Sequence, residues 1–429
     1  MKGTTYEAAS EEALERALFR TRAYAPWRVL DPGRGASLED RFAALPRTDK
    51  AFIRAAFPDG LVPEGRDLKL GLASGEVELV STSGTTDEQV TNLWNQRWWD
   101  FSDRESWSYN GNMSRVCTGD HREAILTSAL NVGFLSDGPE LAFDERRLDR
   151  LLFLNERSTP SLWTRQTIER MASDLERFDA PVLEANPSYL ARFARHAAQR
   201  GLQVHQPQVI VFTYENPSLV HLREIRRVFG APMLSSYGTT ETGYVLMECE
   251  RGFHHLNSES CRVDFVPMAG GAPEIGSLRV TPFGNEWFSL LRFDPGDLVI
   301  LDRSGLCPCG RKSEVLVSSM EGRTKCLTWT TEGRPVTQGE LDRLLAAEVS
   351  LVTYQLVQEG EARYRLKVVL ERDEGRGAPD RLRDALHGLY GMTAEIRIEA
   401  CRELLPEASG KFLLAKGPPT EQGKPRWRS

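Results

Sequence analysis

Between residues 148 and 237 the chain alternates short strand-like runs with longer helical stretches, and this alternation limits its fold more than any other feature. Residues 181–184, 208–213 (QVIVFT) and 233–237 read as strands, with helical patterns over 148–201 and 220–229. Strands separated by helices need crossover connections, so they pair in parallel. The predicted class is α/β, with a large N-terminal domain of mostly parallel sheets and helices. Helices are also predicted over 5–24 and 38–56, and a strand over 76–81 (EVELVS). After about residue 243 the pattern changes. Short runs at 261–266, 276–281, 288–293 and 298–302, set apart by Gly/Pro turns, predict a β-rich subdomain. Residues 320–325 (MEGRTK) punctuate the chain. Beyond them lies a small α+β unit: a strand near 326–330, a helix at 338–347, strands near 354–358 and 364–370, a helix at 379–389 and a strand at 394–399. The expected division is therefore 1–322 and a small mobile C-terminal domain, 323–429.

Composition removes several classes of function. The 429 residues are 40% hydrophobic and 27% charged, enough for a large core without covalent staples. A net charge of −7 argues against a general nucleic-acid binder. No apolar run approaches the ~18 residues that a membrane span needs. The N-terminus, MKGTTYEAASEEAL, has no apolar core of a secretory signal. Seven cysteines in so long a chain do not suggest a disulfide framework. A cytoplasmic location with reduced or metal-bound thiols is expected.

Three loops carry residues suited to nucleotide chemistry. Ser81-Thr82-Ser83-Gly84-Thr85-Thr86 follows a predicted strand. Its backbone N–H and hydroxyl groups can converge on phosphate oxygens, although it is no Walker loop. Ser236-Tyr237-Gly238-Thr239-Thr240-Glu241 ends another strand. There a glycine lets the chain approach a flat ring, and the carboxylate can hold Mg²⁺. Asp297, after a Pro-Gly turn, can accept both hydroxyls of a ribose. Each loop alone is also an ordinary turn signal.

Taken together and in order, these segments resemble the ATP-site motifs of the adenylate-forming superfamily of acyl-CoA synthetases, peptide-synthetase adenylation domains and luciferases. Spacing and length look most like the phenylacetate-CoA ligase branch. Thr213-Tyr214-Glu215-Asn216-Pro217 resembles the adenine-side segment, Arg292–Leu298 the ribose segment, Gly322-Arg323-Thr324-Lys325 the interdomain hinge, and Ser409-Gly410-Lys411-Phe412 the segment bearing the catalytic lysine. The resemblance implies an enzyme that joins ATP and a carboxylic acid into an acyl-AMP, releasing pyrophosphate. Ser81 to Thr86 would cradle the pyrophosphate end of ATP. Glu215 and Asn216 would lie beside the adenine, with Tyr237 stacked on it and Gly238 and Thr239 in the same loop. Thr240 would meet the α-phosphate and Glu241 would bind Mg²⁺. Asp297 and Arg323 would hold the ribose. Lys325 would mark the hinge, and Lys411 would stabilise charge as the carboxylate attacks. The acid would sit near Asn131, Phe134 and Ser236. The aromatic run 94–99 (WNQRWW) suits core packing first and an aryl or arylalkyl acid second.

The same branch carries a zinc knuckle, and Cys249, Cys307 and Cys309 with His254 or His255 offer a Cys₃His set. Gly252-Phe253-His254 resembles the branch's Gly-apolar-His, which favours His254 as the fourth ligand of a structural Zn²⁺. The expected acceptor in a second step is CoA or the phosphopantetheine of an acyl-carrier protein, and a homodimer is implied. Three departures bear on this. Asp87-Glu88-Gln89 stands where Gly-Lys-Pro is usual, Asp294-Pro295 where Arg-Thr is usual, and Cys326-Leu327-Thr328-Trp329-Thr330-Thr331 where an acidic-apolar run with a glycine turn is usual. They leave two alternatives: capture of the acyl group by an amine, or a nucleotide-binding relative without turnover.

Overall fold

The computed structural model describes residues 3–82, 89–371, 377–418, 420–421 and 424–425. They form two compact units. One contains residues 1–115, 236–267 and 274–318; the other contains 116–235, 268–273 and 319–429.

The second unit holds the parallel strands. Leu151–Phe153, Glu123–Leu126, Val182–Ala185, Val209–Phe212 and the start of Met233–Thr239 lie side by side in that order, each pair parallel. Val209–Phe212 (VIVF) is buried along its whole length, as a strand covered on both faces must be. Helix Arg165–Phe178 starts with a capping box between Thr164 and Thr167 and stops at Asp179 in the left-handed region. Helix Pro187–Arg200 is started by Asn186, whose side chain accepts from the Ser188 and Tyr189 N–H groups, and is ended by Gly201. The two helices and the strands share one core, which includes Leu126, Leu152, Leu183, Phe193 and Phe212.

Within the same unit, residues 351–416 build a four-stranded sheet. Glu395–Ala400 lies parallel to Arg363–Leu370, which is antiparallel to Leu351–Gln358, which is parallel to Ala415–Lys416. Helices Gln338–Leu345 and Ala378–Tyr390 pack on it through Leu341, Leu345, Leu382, Leu386 and Tyr390. Val220, from helix Leu219–Ile225, joins this cluster.

The first unit is antiparallel where its strands pair. Gly243–Glu248 pairs with Ser236–Thr239 on one side and with His254–Leu256 on the other. Cys261–Pro267, Ile275–Pro282 and Asp297–Leu301 form a second run. The helical region expected over 38–56 is two helices, Leu38–Ala44 and Lys50–Ala56, because Asp49 caps a new start after Pro46. The tryptophan run lies at the start of helix Gln96–Ser106, where Trp98 is buried and Trp99 packs 4.2 Å from Trp94 and 4.9 Å from Tyr244.

The strand expected over 288–293 does not form. Phe288, Leu290, Leu291 and Phe293 are buried in the core around Tyr24 and Phe42. Arg292, at φ 52°, breaks the extended path. Its guanidinium instead takes the carbonyls of Phe42 and Leu45. A buried run serves a core equally well as strand or as irregular chain, and periodicity does not separate the two.

Leu183→Ala, at the centre of the parallel strands, is expected to cost about 2–5 kcal/mol, read by denaturant unfolding.

Candidate functional site

Three groups of expected site residues come together, two in the first unit and one in the second. In the first unit a tight hairpin joins Met233–Thr239 to Gly243–Glu248. Gly238 permits it: a Cβ there would come within 2.4 Å of the Gly243 carbonyl oxygen. The hairpin leaves Tyr237 half-buried, with its hydroxyl donating to Asp297 Oδ2 at 2.9 Å. Tyr237 and Asp297 therefore lie together although 60 residues separate them. Thr239 and Thr242 bond through their hydroxyls at 2.9 Å, closing the turn that carries Thr240 and Glu241. Glu241 is only 3% exposed, and its Oε1 accepts no hydrogen bond among the described residues. The Ser236 hydroxyl is likewise buried without a partner there. Buried oxygens of this kind are normally satisfied, so both are suited to a ligand.

Lys50 was not legible as a site residue. Its ammonium stands 3.6 Å from Glu241 Oε1. Asp49 as N-cap is readable in the sequence, but nothing local aims Lys50 at residue 241. The preceding residues are clamped to the segment around Asp297. Thr48 donates to the Leu291 carbonyl at 2.9 Å, the Asp294 N–H donates to the Thr48 carbonyl at 2.8 Å, and Arg47 pairs with Asp294 at 2.7 Å.

Ser81 is exposed and hydroxyl-bonded to Thr91 at 3.2 Å, and Thr82 accepts from the Val90 N–H at 3.1 Å. Ser83, Gly84, Thr85 and Thr86 lie outside the described residues, as do Asp87 and Glu88.

The second group in the first unit is thiol-rich. Cys249 Sγ lies 3.6 Å from Cys307 Sγ, and Cys309 Sγ lies 3.4 Å from His255 Nε2. The four ligand atoms are all within 4.8 Å of one another. Zn–S bonds of about 2.3 Å in a tetrahedron put sulfurs roughly 3.8 Å apart, so this donor set fits zinc. The expectation of His254 is corrected to His255. Both belong to strand His254–Leu256, where neighbouring side chains leave on opposite faces. His255 faces the thiols. Both ring nitrogens of His254 are buried without partners among the described residues, and burial pushes its pKa down to about 4.

In the second unit the segment Ser409–Phe412 is seated at the carboxyl ends of the parallel strands, where α/β sheets bind ligands. Gly410, at φ 78°, lies so close to Ser128 that a Cβ would meet that side chain at 2.5 Å. Phe412 is buried, with its ring edge-on to His221 at 5.6 Å. Glu215 accepts a hydrogen bond from the Phe412 N–H, and Asn186, Ser188 and Lys411 also act on its carboxylate. Burial is the largest influence and raises Glu215 to about 7. Tyr214 holds φ 67°, a conformation that costs a bulky residue on the order of 1–3 kcal/mol. Its phenol bonds Glu184, which also accepts from Thr213 Oγ1 at 3.0 Å. Asn216 is exposed, reaching the Met320 carbonyl at 3.5 Å. Arg323 is half-buried and Lys325 exposed. Phe134 stacks on Phe153 at 4.4 Å; Asn131 belongs to helix Ala129–Val132.

No protein-family model matches the sequence. No curated protein matches it. Solved structures do match. A 2-hydroxyisobutyryl-CoA ligase in the postadenylation state, in complex with R3-HIB-AMP, superposes with a TM-score of 0.70 over 94% of this chain and 87% of that one, at 14% identity. The amide bond synthetase McbA from Marinactinospora thermotolerans gives 0.53 over 82% and 70%, at 16% identity. ATP-bound MatB from Rhodopseudomonas palustris gives 0.51 over 78% and 66%, also at 16%. The chain shares its fold with these proteins.

Two outcomes are expected. Metal analysis finds about one zinc per chain, lost in His255→Ala and kept in His254→Ala. Glu215, raised from 4.5 to about 7, stabilises the fold fully below pH 4.5, and that contribution is lost as pH rises through about 7. Unfolding of Glu215→Gln across this window is expected to show a shallower decline than wild type.

Proposed function

We propose that the protein is an enzyme that activates a small carboxylic acid with ATP, forming an acyl-AMP and pyrophosphate. The observation that carries this reading is the seating of Lys411, in its Ser-Gly-Lys-Phe segment, at the carboxyl ends of the parallel strands of an adenylate-forming fold. An oxygen of the acid attacks the α-phosphorus, and the bond from that phosphorus to pyrophosphate breaks. Lys411 stabilises the charge that gathers on the phosphoryl oxygens. Asp297 accepts from the ribose hydroxyls and Tyr237, fixed by its bond to Asp297, offers a ring face to the adenine. Arg323 assists at the ribose, with Lys325 at the hinge of a lid formed by 323–429. Thr240 donates to the α-phosphate. Glu241, whose buried Oε1 accepts no hydrogen bond among the described residues, fits Mg²⁺, which when bound would offset triphosphate charge. Ser81 to Thr86 take the pyrophosphate end.

The acid lies near Ser236, Phe134 and Asn131, and the Phe134–Phe153 stack favours an aryl or arylalkyl group. In the second step a thiol, that of CoA or of a carrier protein's phosphopantetheine, attacks the acyl carbon, and AMP leaves. The altered segment 326–331 keeps an amine acceptor as the second reading. Cys249, His255, Cys307 and Cys309 hold a structural zinc, since four protein ligands leave no open position. A cytoplasmic location, where reducing conditions keep thiols available to a metal, belongs to the same reading.

Pyrophosphate exchange into ATP across a panel of acids tests the first step. Exchange is expected with at least one acid, and Lys411→Ala is expected to lower it by a factor of about 10² or more. A folded protein that exchanges with no acid, or a Lys411→Ala variant as fast as wild type, removes the reading. Product mass after addition of CoA, carrier protein or amines identifies the acceptor.

A further inference from the structure

We infer that Glu215 is the positioning residue for Lys411: its carboxylate, aimed by the left-handed turn at Tyr214, seats the lysine segment through the Phe412 N–H. This rests on the reading above, in which Lys411 serves adenylation, and it gives Glu215 a different task from the adenine contact that the motif implies.

Three features of the second unit converge on this. The first is the turn. Strand Val209–Phe212 is followed by Thr213, and the next residue is held at φ 67° although it is a tyrosine. A bulky side chain keeps that conformation only where its surroundings over-determine it. Here they do, because the Tyr214 phenol bonds Glu184 beneath it and Thr213 bonds the same carboxyl. The turn thereby directs Glu215 at the segment 409–412.

The second is the segment itself, which is a closed loop. The Gly410 N–H donates to the Glu407 carbonyl at 2.8 Å, the Glu407 N–H donates to the Lys411 carbonyl at 2.8 Å, and Lys416 pairs with Glu407 at 2.6 Å. The N–H of Phe412, immediately after the lysine, is left out of this loop and goes to Glu215. The carboxylate thus grips the residue adjoining Lys411 and attracts the ammonium of Lys411 as well.

The third is the fit around the seat. Gly410 is pressed on Ser128, and the Phe412 ring on His221. Of the groups that act on Glu215, Lys411 is the cation and Asn186 and Ser188 are neutral. From the helix Pro187–Arg200 the Tyr189 phenol also faces it, raised to about 12 chiefly by burial. Without the carboxylate the Phe412 N–H loses its acceptor and Lys411 loses the attraction of this carboxylate. Reactions of this kind respond steeply to misplacement, and an ångström can cost on the order of 10²-fold.

The test uses Glu215→Ala, Glu215→Gln, Lys411→Ala and the double variant Glu215→Ala/Lys411→Ala. The probes are ATP, labelled pyrophosphate, and the acid that supports exchange in wild type. Glu215→Ala is expected to lower the exchange kcat by about 10- to 100-fold with KM for ATP within about twofold. Glu215→Gln, which keeps an acceptor and loses the charge, should fall between it and wild type. The double variant should be no slower than Lys411→Ala alone, since the two act as one unit. Capture of the matching synthetic acyl-adenylate by the acceptor found for wild type should be unchanged, and trypsin should cut after Lys411 faster in Glu215→Ala. A rise in KM for ATP with kcat retained would mean an adenine contact and overturn the inference. So would multiplicative losses in the double variant, or an equal loss in capture of the acyl-adenylate. If Lys411→Ala is slow and both Glu215 variants match wild type, only this inference fails. If Lys411→Ala matches wild type, the functional reading itself fails.

Discussion

The hydrogen bond from the Phe412 amide to the Glu215 carboxylate is the contact on which the most interesting part of this structure turns. It joins residues 197 positions apart. One end belongs to a turn at the end of a parallel strand, the other to a closed loop near the chain's C-terminal end. Neither end has much freedom. Tyr214 is held left-handed by its phenol, and Gly410 is the one residue type that fits against Ser128. Rigid supports on both sides let one bond fix where the Lys411 backbone stands. On the proposed reading, in which Lys411 serves adenylation, an ammonium placed within a fraction of an ångström needs that kind of support.

The first unit shows a second case of the same logic with different parts. Its hairpin works because Gly238 admits the opposing chain, and the hairpin then brings Tyr237 to Asp297. Glu241 is buried, and its Oε1 accepts no hydrogen bond among the described residues but faces a lysine ammonium 3.6 Å away. A carboxylate in such a place is costly unless cations compensate it. Lys50 supplies part of that compensation from a segment clamped to residues 291–294. Asp294 is itself paired with Arg47 and Arg279. Positive charge around this segment therefore comes from elsewhere in the chain.

The thiol-rich cluster is the clearest example of what spacing leaves open. Cys249, Cys307 and Cys309 were readable as a set because thiols at such positions have few other uses in a reduced chain. The choice between two adjacent histidines was not. Resemblance favoured His254, and the strand's alternation turned His255 to the sulfurs instead. A one-residue difference in a strand changes the face, so no argument from the order of residues alone reaches it.

The sequence by itself determined the alternation of strands and helices, the positions of the glycine-bearing loops at 236–241 and 294–297, and the small α+β set of elements after residue 323. These follow from local periodicity and turn chemistry, which act over a few residues. Only the tertiary structure decided that 288–293 is irregular core rather than strand, that Lys50 meets Glu241, that His255 faces the thiols, and that Glu215 grips the lysine segment. Each of those depends on the partner that arrives from a distant part of the chain. Burial and pairing are properties of that meeting, and no window of neighbouring residues contains them.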